Sequence, residues 1–229
     1  PEGYTLSQIA QQLEDLNIVK KKEFIQKATS PPFISSLGLS DLTGPTLEGY
    51  LFPDTYHLIR EMAPEEVIQL MVLRFKKVFG PQLITMSFQS GISQKDAVIL
   101  ASIIEKETSL SEEKSLISAV FHNRLKKKIP LQSDPTVIYG IKNFNGNLTK
   151  GHLIKPTPYN TYLKTGLPPT PICNPGRESL LAALQPAPVS YLYFVSKNDG
   201  SHFFSSDIEE HNRAVWKYQK KRPLREVLK

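Results

Sequence analysis

Residues 97–108 read AVILASIIEKET, an almost unbroken apolar run that ends in charge. A helix this apolar on every side calls for burial, yet Glu105 and Glu107 stand at its far end. A carboxylate buried there costs free energy unless it is paired, hydrogen-bonded or protonated. A raised pKa at the end of a core helix therefore points to proton-transfer work. Positions two apart on a helix point about 200° apart, so the two glutamates cannot face one cleft. Glu105 follows Val98, Ala101 and Ser102, whose small side chains leave room for a ligand. Glu107 follows Leu100, Ile103 and Ile104 and continues a packing face. Side-chain size favours Glu105 and leaves Glu107 open.

Ser93, with Asp96 in a capping-box position, begins this helix. Upstream, Pro64–Phe79 is an amphipathic helix with Val67, Leu70, Met71 and Phe75 as its stripe, ended by Gly80-Pro81. The stretch LEGYLFPDTYHLI at 47–59 is aromatic and β-prone, and Pro53 in its middle predicts two short strands or a kinked edge strand. Ser30–Gly44 reads as loop. At the N-terminus Thr5 caps a helix with Leu6, Ile9, Leu13 and Leu16 at helical spacing, and Lys20–Ala28 forms a second short helix. Downstream, Ser111–Lys128 is a helix whose lysines suit its C-terminus, and Gly176–Leu184 is another. Tyr191–Val195 and His202–Ser205 form a hairpin around Asn198–Ser201. Asp207–Gln219 is the last helix, followed by a basic tail read as frayed. Helices and a hairpin without a βαβ series give an α+β class.

A chain of 229 residues with 40% hydrophobic and 22% charged residues has the composition of a globular protein. No run of about 18 apolar residues spans a membrane and no signal-peptide pattern opens the chain. Pro1 as first residue reads as a cut from something longer. The net charge of +6 admits acidic partners, but the lysine runs are scattered and no aromatic–basic interleaving marks a nucleic-acid binder. The single cysteine, Cys173, excludes an internal disulfide, and the five histidines show no paired spacing, so no metal site is expected. No phosphate loop or nucleophile elbow is present, and no cofactor is called for. From Ile129 onward the loops LQSDPTVIYG and KPTPYNTYLKT are rich in Pro, Asn, Thr and Tyr, side chains suited to a polyhydroxylated ligand.

The ordered series ASIIEKET, VFHNRL, LQSDPTVIYG, PYNTYLKTGLPPTPICNPG and YLYFVSKNDGSHFFSSDIEEHN resembles the YceG-like family of endolytic murein transglycosylases, over about 1–218. One departure is Lys127-Lys128-Ile129-Pro130, where relatives often carry Gly-Met before the LQ, and it lies outside the polar motif. The resemblance implies non-hydrolytic cleavage of the β-1,4 bond between N-acetylmuramic acid and N-acetylglucosamine within peptidoglycan strands. It maps the essential acid onto the first glutamate of the EKET motif, Glu105. That acid would protonate the glycosidic oxygen and then deprotonate the muramyl C6 hydroxyl, closing a 1,6-anhydro ring. Because the substrate's hydroxyl replaces water, the second carboxylate of an ordinary glycosidase is not required.

The resemblance further implies a LysM-like subdomain over 1–62, a catalytic domain over 63–229, and a membrane-spanning helix upstream of this sequence. It places the protein on the extracytoplasmic face of the bacterial cytoplasmic membrane, with peptidoglycan synthases as partners. Supporting candidates are Glu48, lining a sugar groove, and Asn123, Gln132 and Asp134, bonding hydroxyl or N-acetyl groups or orienting the acid. Tyr139, Tyr159 and Tyr162 are candidates for stacking on sugar rings, with Asn160 and Thr161 for polar contacts. Each also has a structural reading: Asp134 before Pro135 is a natural turn, loop tyrosines often cover core, and His202 reads as structural. The rival class is a non-catalytic glycan-binding module using the same loops.

Overall fold

A computed structural model describes residues 1–39 and 44–220. The chain opens with α1 (Leu6–Asp15), α2 (Lys21–Ala28) and α3 (Pro31–Ser36). Four helices follow: α4 (Pro64–Val78), α5 (Pro81–Ser90), α6 (Gln94–Glu107) and α7 (Ser111–Lys126). Three shorter helices come next, α8 (Asp134–Tyr139), α9 (Lys150–Leu153) and α10 (Arg177–Leu184). The hairpin β1 (Tyr193–Ser196) and β2 (His202–Ser205) leads into α11 (Ile208–Val215) and a π-helical turn at Trp216–Lys220. The class is α+β. The two strands pair antiparallel with Val195 opposite Phe203, and they are the only sheet among the described residues.

Helix α6 is the centre. Every residue from Ala97 to Ile104 is buried, as its apolar sequence demands, and α10, α7, α5 and α8 pack around it. The Ser93 hydroxyl accepts the Asp96 N–H at 3.0 Å and starts the helix. Truncating Ile103, which is 0% exposed, would cost about 2–5 kcal/mol. Thr5 caps α1 through a full capping box with Gln8. One cluster of buried apolar side chains runs from Leu6 to Leu184, through both halves of the chain. Among the described residues no helix is long and apolar enough to cross a membrane.

The stretch 47–59 is not strand. Gly49 and Leu51 donate their N–H groups to the Asn174 side-chain oxygen, both at 2.9 Å, so a buried amide replaces a partner strand. Gly49, at φ +90°, lies where a Cβ would fall 2.5 Å from the Pro171 ring; the close approach requires glycine. The expected loop at 30–44 contains α3, with Pro31 in its first turn, and residues 40–43 of that loop lie outside the described residues. Pro81, read as the end of α4, sits in the first turn of α5, the place where its missing N–H does no harm. The loop reading of 131–140 gives way to α8, with Pro135 in its first turn. The last helix changes to π geometry at Trp216, and the tail at 221–229 lies outside the described residues.

Candidate functional site

The two glutamates at the end of α6 meet different surroundings. Glu105 is locked in place. Its carboxylate accepts Lys114 Nζ at 3.3 Å, the Gly176 N–H at 3.0 Å and the Ser179 hydroxyl at 2.6 Å. Gly176 and Ser179 form the N-terminal turn of α10, where unpaired N–H groups favour an anion. The Glu105 and Lys114 side chains are only 7% and 5% exposed. Ser102 beside it is hydrogen-bonded to Ile172 and Cys173, α10 packs on α6, and Glu2 closes over Gly176 from outside. The expectation of a ligand beside Glu105 therefore meets a packed ion pair.

Glu107 opens instead onto a groove of about 390 Å³, whose wall includes Arg124, Gln132, Asp134, Tyr162, Phe194 and His202. Its Oε1 accepts the hydroxyl of buried Ser133. Among the described residues no cation forms an ion pair with it. Burial pushes its pKa up to about 7, reinforced by the nearby Asp134 charge and opposed by the Ser133 bond and by Arg124. Arg124 does not neutralise it because its guanidinium is committed: Nε donates to Leu192 O at 2.7 Å, and one Nη to Pro130 O, Leu131 O and Gln132 Oε1. A carboxylic acid protonated near neutrality, beside a polar groove, can donate a proton and take one back.

Of the supporting candidates, Gln132, Asp134 and Tyr162 share the groove with Glu107. Tyr162 donates its hydroxyl to Asp134, and Gln132 sits at φ +53° with its N–H on Thr161 O at 3.0 Å. The others hold the surrounding loops in place. Thr161 Oγ1 lies 2.8 Å from Thr136 Oγ1 and accepts the Ser133 N–H at 3.1 Å, which holds Ser133 under Glu107. Asn160, fully buried, ties Leu153 O and Lys155 O to its own loop. Asn123 donates to Val189 O and Tyr191 O and carries the chain into β1. Tyr159 bonds Thr170 at 2.8 Å and meets Tyr139 edge-on at 4.8 Å.

Glu48 is 4% exposed. It accepts Leu6 N–H at 2.9 Å, Asn174 Nδ2 at 3.0 Å and the Tyr139 hydroxyl at 3.1 Å. Burial pushes its pKa up to about 7 as well, despite those three donors. A second cavity, about 240 Å³ between α1 and residues 53–58, is lined by Ile9, Leu13 and Tyr56, and the carboxylate on its wall, Asp54, is ion-paired to Arg74.

Reading the sequence alone missed Ser133, Arg124 and Glu113, and took His202 as structural. Glu113 lies six residues beyond Glu107 near the start of α7 and is 7% exposed. Its carboxylate holds the His202 backbone N–H at 2.8 Å and the His202 ring Nδ1 at 2.6 Å. A buried acid in a first helical turn looks like an ordinary dipole partner, so no local signal marks this pair.

The model of the YceG-like family matches residues 1–217. A Bacillus subtilis protein named endolytic murein transglycosylase is 36% identical over 229 residues, 95% of this chain and 63% of that protein. A Streptococcus pneumoniae protein of the same name is 30% identical over 94% of this chain and 43% of its own length. The crystal structure of a YceG-like protein from Listeria monocytogenes matches with a TM-score of 0.84 and 35% identity, covering 93% of this chain and 74% of that one. The chain thus spans about two thirds or less of the curated relatives it matches.

Proposed function

From the premise that this chain belongs to the YceG-like family, we propose that it cleaves peptidoglycan glycan strands internally as a lytic transglycosylase. The two relatives named endolytic murein transglycosylase support the substrate and the reaction. The acid is Glu107 and not Glu105. The observation that carries this assignment is the contrast in their surroundings: Glu107 has the groove, no ion-pair partner among the described residues and a pKa raised to about 7, whereas Glu105 is packed against Lys114 and α10.

Protonated Glu107 donates to the glycosidic oxygen between N-acetylmuramic acid and N-acetylglucosamine. The C1–O bond breaks with its electron pair going to that oxygen, the C6 hydroxyl of the muramyl residue attacks its own C1 and gives up its proton to a base on the groove, and the product ends in a 1,6-anhydro ring. Gln132, Asp134 and Tyr162 are the sugar-binding side chains of the groove, while Glu48, Asn123, Tyr139, Tyr159, Asn160 and Thr161 shape it from behind. The helix pair α1–α2 supports the LysM-like reading of residues 1–62, with the catalytic part beginning near residue 63. Since murein lies outside the cytoplasmic membrane, the site of action is extracytoplasmic. An anchor outside this sequence and contacts with peptidoglycan synthases belong to the same proposal.

Digestion of purified glycan strands tests it. The expected products are 1,6-anhydro-ended fragments from internal cuts, abolished by Glu107→Gln and retained by folded Glu105→Gln. Reducing ends would mean a hydrolase. Binding without cleavage would mean a glycan-binding module.

A further inference from the structure

The groove holds a second group able to move a proton. His202, at the start of β2, lines the same groove as Glu107. It is gripped from behind by Glu113, which takes both its backbone N–H and its ring Nδ1, at 2.8 and 2.6 Å. The same carboxylate also accepts the Thr108 hydroxyl at 3.5 Å, so the residue following Glu107 and the base of β2 share one anchor. Phe194 meets the imidazole edge-on at 5.5 Å and 87° and restricts its rotation. A carboxylate on Nδ1 selects the tautomer with the proton on Nδ1, which leaves a lone pair on Nε2. Among the described residues no hydrogen bond to Nε2 is formed.

Resting on the transglycosylase reading, we propose that His202, oriented by Glu113, accepts the proton of the muramyl C6 hydroxyl as that oxygen attacks C1. Glu107 gives its proton to the glycosidic oxygen, and the C1–O bond breaks with its electron pair going to that oxygen. The O6–C1 bond forms and the O6 proton passes to His202 Nε2. After product leaves, the imidazolium releases this proton to solvent and Glu107 takes one up. No water is consumed and no other reactant is needed. The two proton transfers of the reaction are thereby divided between two groups on one groove. Glu113 acts through His202 and is a positioning residue.

Other charged and titratable groups stand on this groove or against the imidazole. They are Glu113 and Arg124 from α7, Glu107 from α6, Asp134 from α8, Tyr162, and His211 from α11. Burial and the Arg124 charge hold His211 below the usual histidine range.

Rates of 1,6-anhydro product formation across pH, for the full chain and for His202→Ala, His202→Asn and Glu113→Gln, test the assignment. His202→Asn keeps an N–H donor for Glu113 and guards against misfolding. The expected result is a roughly 10²–10⁴-fold loss of kcat for both His202 variants with KM little changed. The acidic limb of the pH profile should disappear, and added imidazole should recover part of the rate of His202→Ala. Glu113→Gln should lose at least about tenfold and shift that limb. In the free protein, ¹⁵N shifts of the imidazole should report the Nδ1–H tautomer above neutral pH. A folded His202→Asn with more than about a tenth of the parent rate would overturn the inference while leaving the reaction in place. So would lost rate with an unchanged pH profile and no imidazole rescue, or an Nε2–H tautomer. Reducing ends from the parent protein would overturn the transglycosylase reading and the inference with it.

Discussion

Glu105 and Glu107 stand two residues apart on the last turn of the same helix, and they meet opposite chemistry. Glu105 is surrounded by donors: an ammonium, a backbone N–H and a hydroxyl. Glu107 has one hydroxyl and an open groove. The first arrangement fixes a negative charge and uses it to join α6, α7 and α10. The second leaves the charge poorly supported, so the carboxyl keeps its proton up to about pH 7. Identical side chains become a packed ion-pair partner and a carboxyl with a raised pKa because the helix turns them into different neighbourhoods. Strength of interaction and fitness for proton transfer are opposed here.

The sharpest way to break this comparison is kinetic. Glu107→Gln should lower the rate of 1,6-anhydro formation by at least about 10³-fold, while thermal unfolding near pH 6 moves little. If Glu105→Gln gave the larger catalytic loss in a folded protein, the two roles would have to be exchanged. The complementary effect is on stability. Glu105→Gln strands Lys114, whose side chain is 5% exposed, and should cost about 3 kcal/mol by denaturant unfolding. Adding Lys114→Met should restore most of that loss; if it does not, the donors on α10 and not the ion pair hold Glu105.

A third effect concerns pH. For Glu107 and Glu48 the folded pKa, about 7, lies above the ordinary carboxyl value of 4.5. Their contribution to stability is therefore complete below about pH 4.5 and is lost as pH rises through about 7. Glu48→Gln keeps the neutral hydrogen bonds and should flatten the fall in melting temperature between pH 5 and pH 8. A variant with the parent's pH profile would show that Glu48 is ionised throughout. The smallest effect is expected of Tyr162→Phe. It removes the bond to Asp134 on the groove wall and should lower the cleavage rate several-fold without changing the products.

What the sequence made legible follows from periodicity and punctuation. The apolar run at 97–104, the stripe of α4, the Thr5 cap and the β1–β2 hairpin are local patterns, and the folded chain keeps them. The order of motifs carried the family. The errors arose where a local signal served a distant partner. The β-prone run at 47–52 finds Asn174 more than a hundred residues away instead of a strand. Pro81 could close one helix or open another, and only packing decides. For the site, Gln132, Asp134 and Tyr162 were legible as polar loop residues. The different surroundings of Glu105 and Glu107 were not, because Lys114, Gly176 and Ser179 reach Glu105 from other parts of the chain. The His202–Glu113 pair joins residues 89 positions apart, beyond any spacing rule.

The N-terminal residues give one further consequence. Gly3 donates to Asn174 O and Asn174 N donates to Tyr4 O, at 3.0 and 2.9 Å, while Lys106 Nζ reaches Gly3 O at 3.3 Å. Asn174 in turn supports residues 48–51, and two residues later the chain enters the α10 turn that holds Glu105. A pull on the chain at residue 1 would load this knot first, on the Glu105 side of α6. Glu107 and its groove lie round the helix from that load path, so tension on the leading end would spend itself on the frame before it could distort the chemistry.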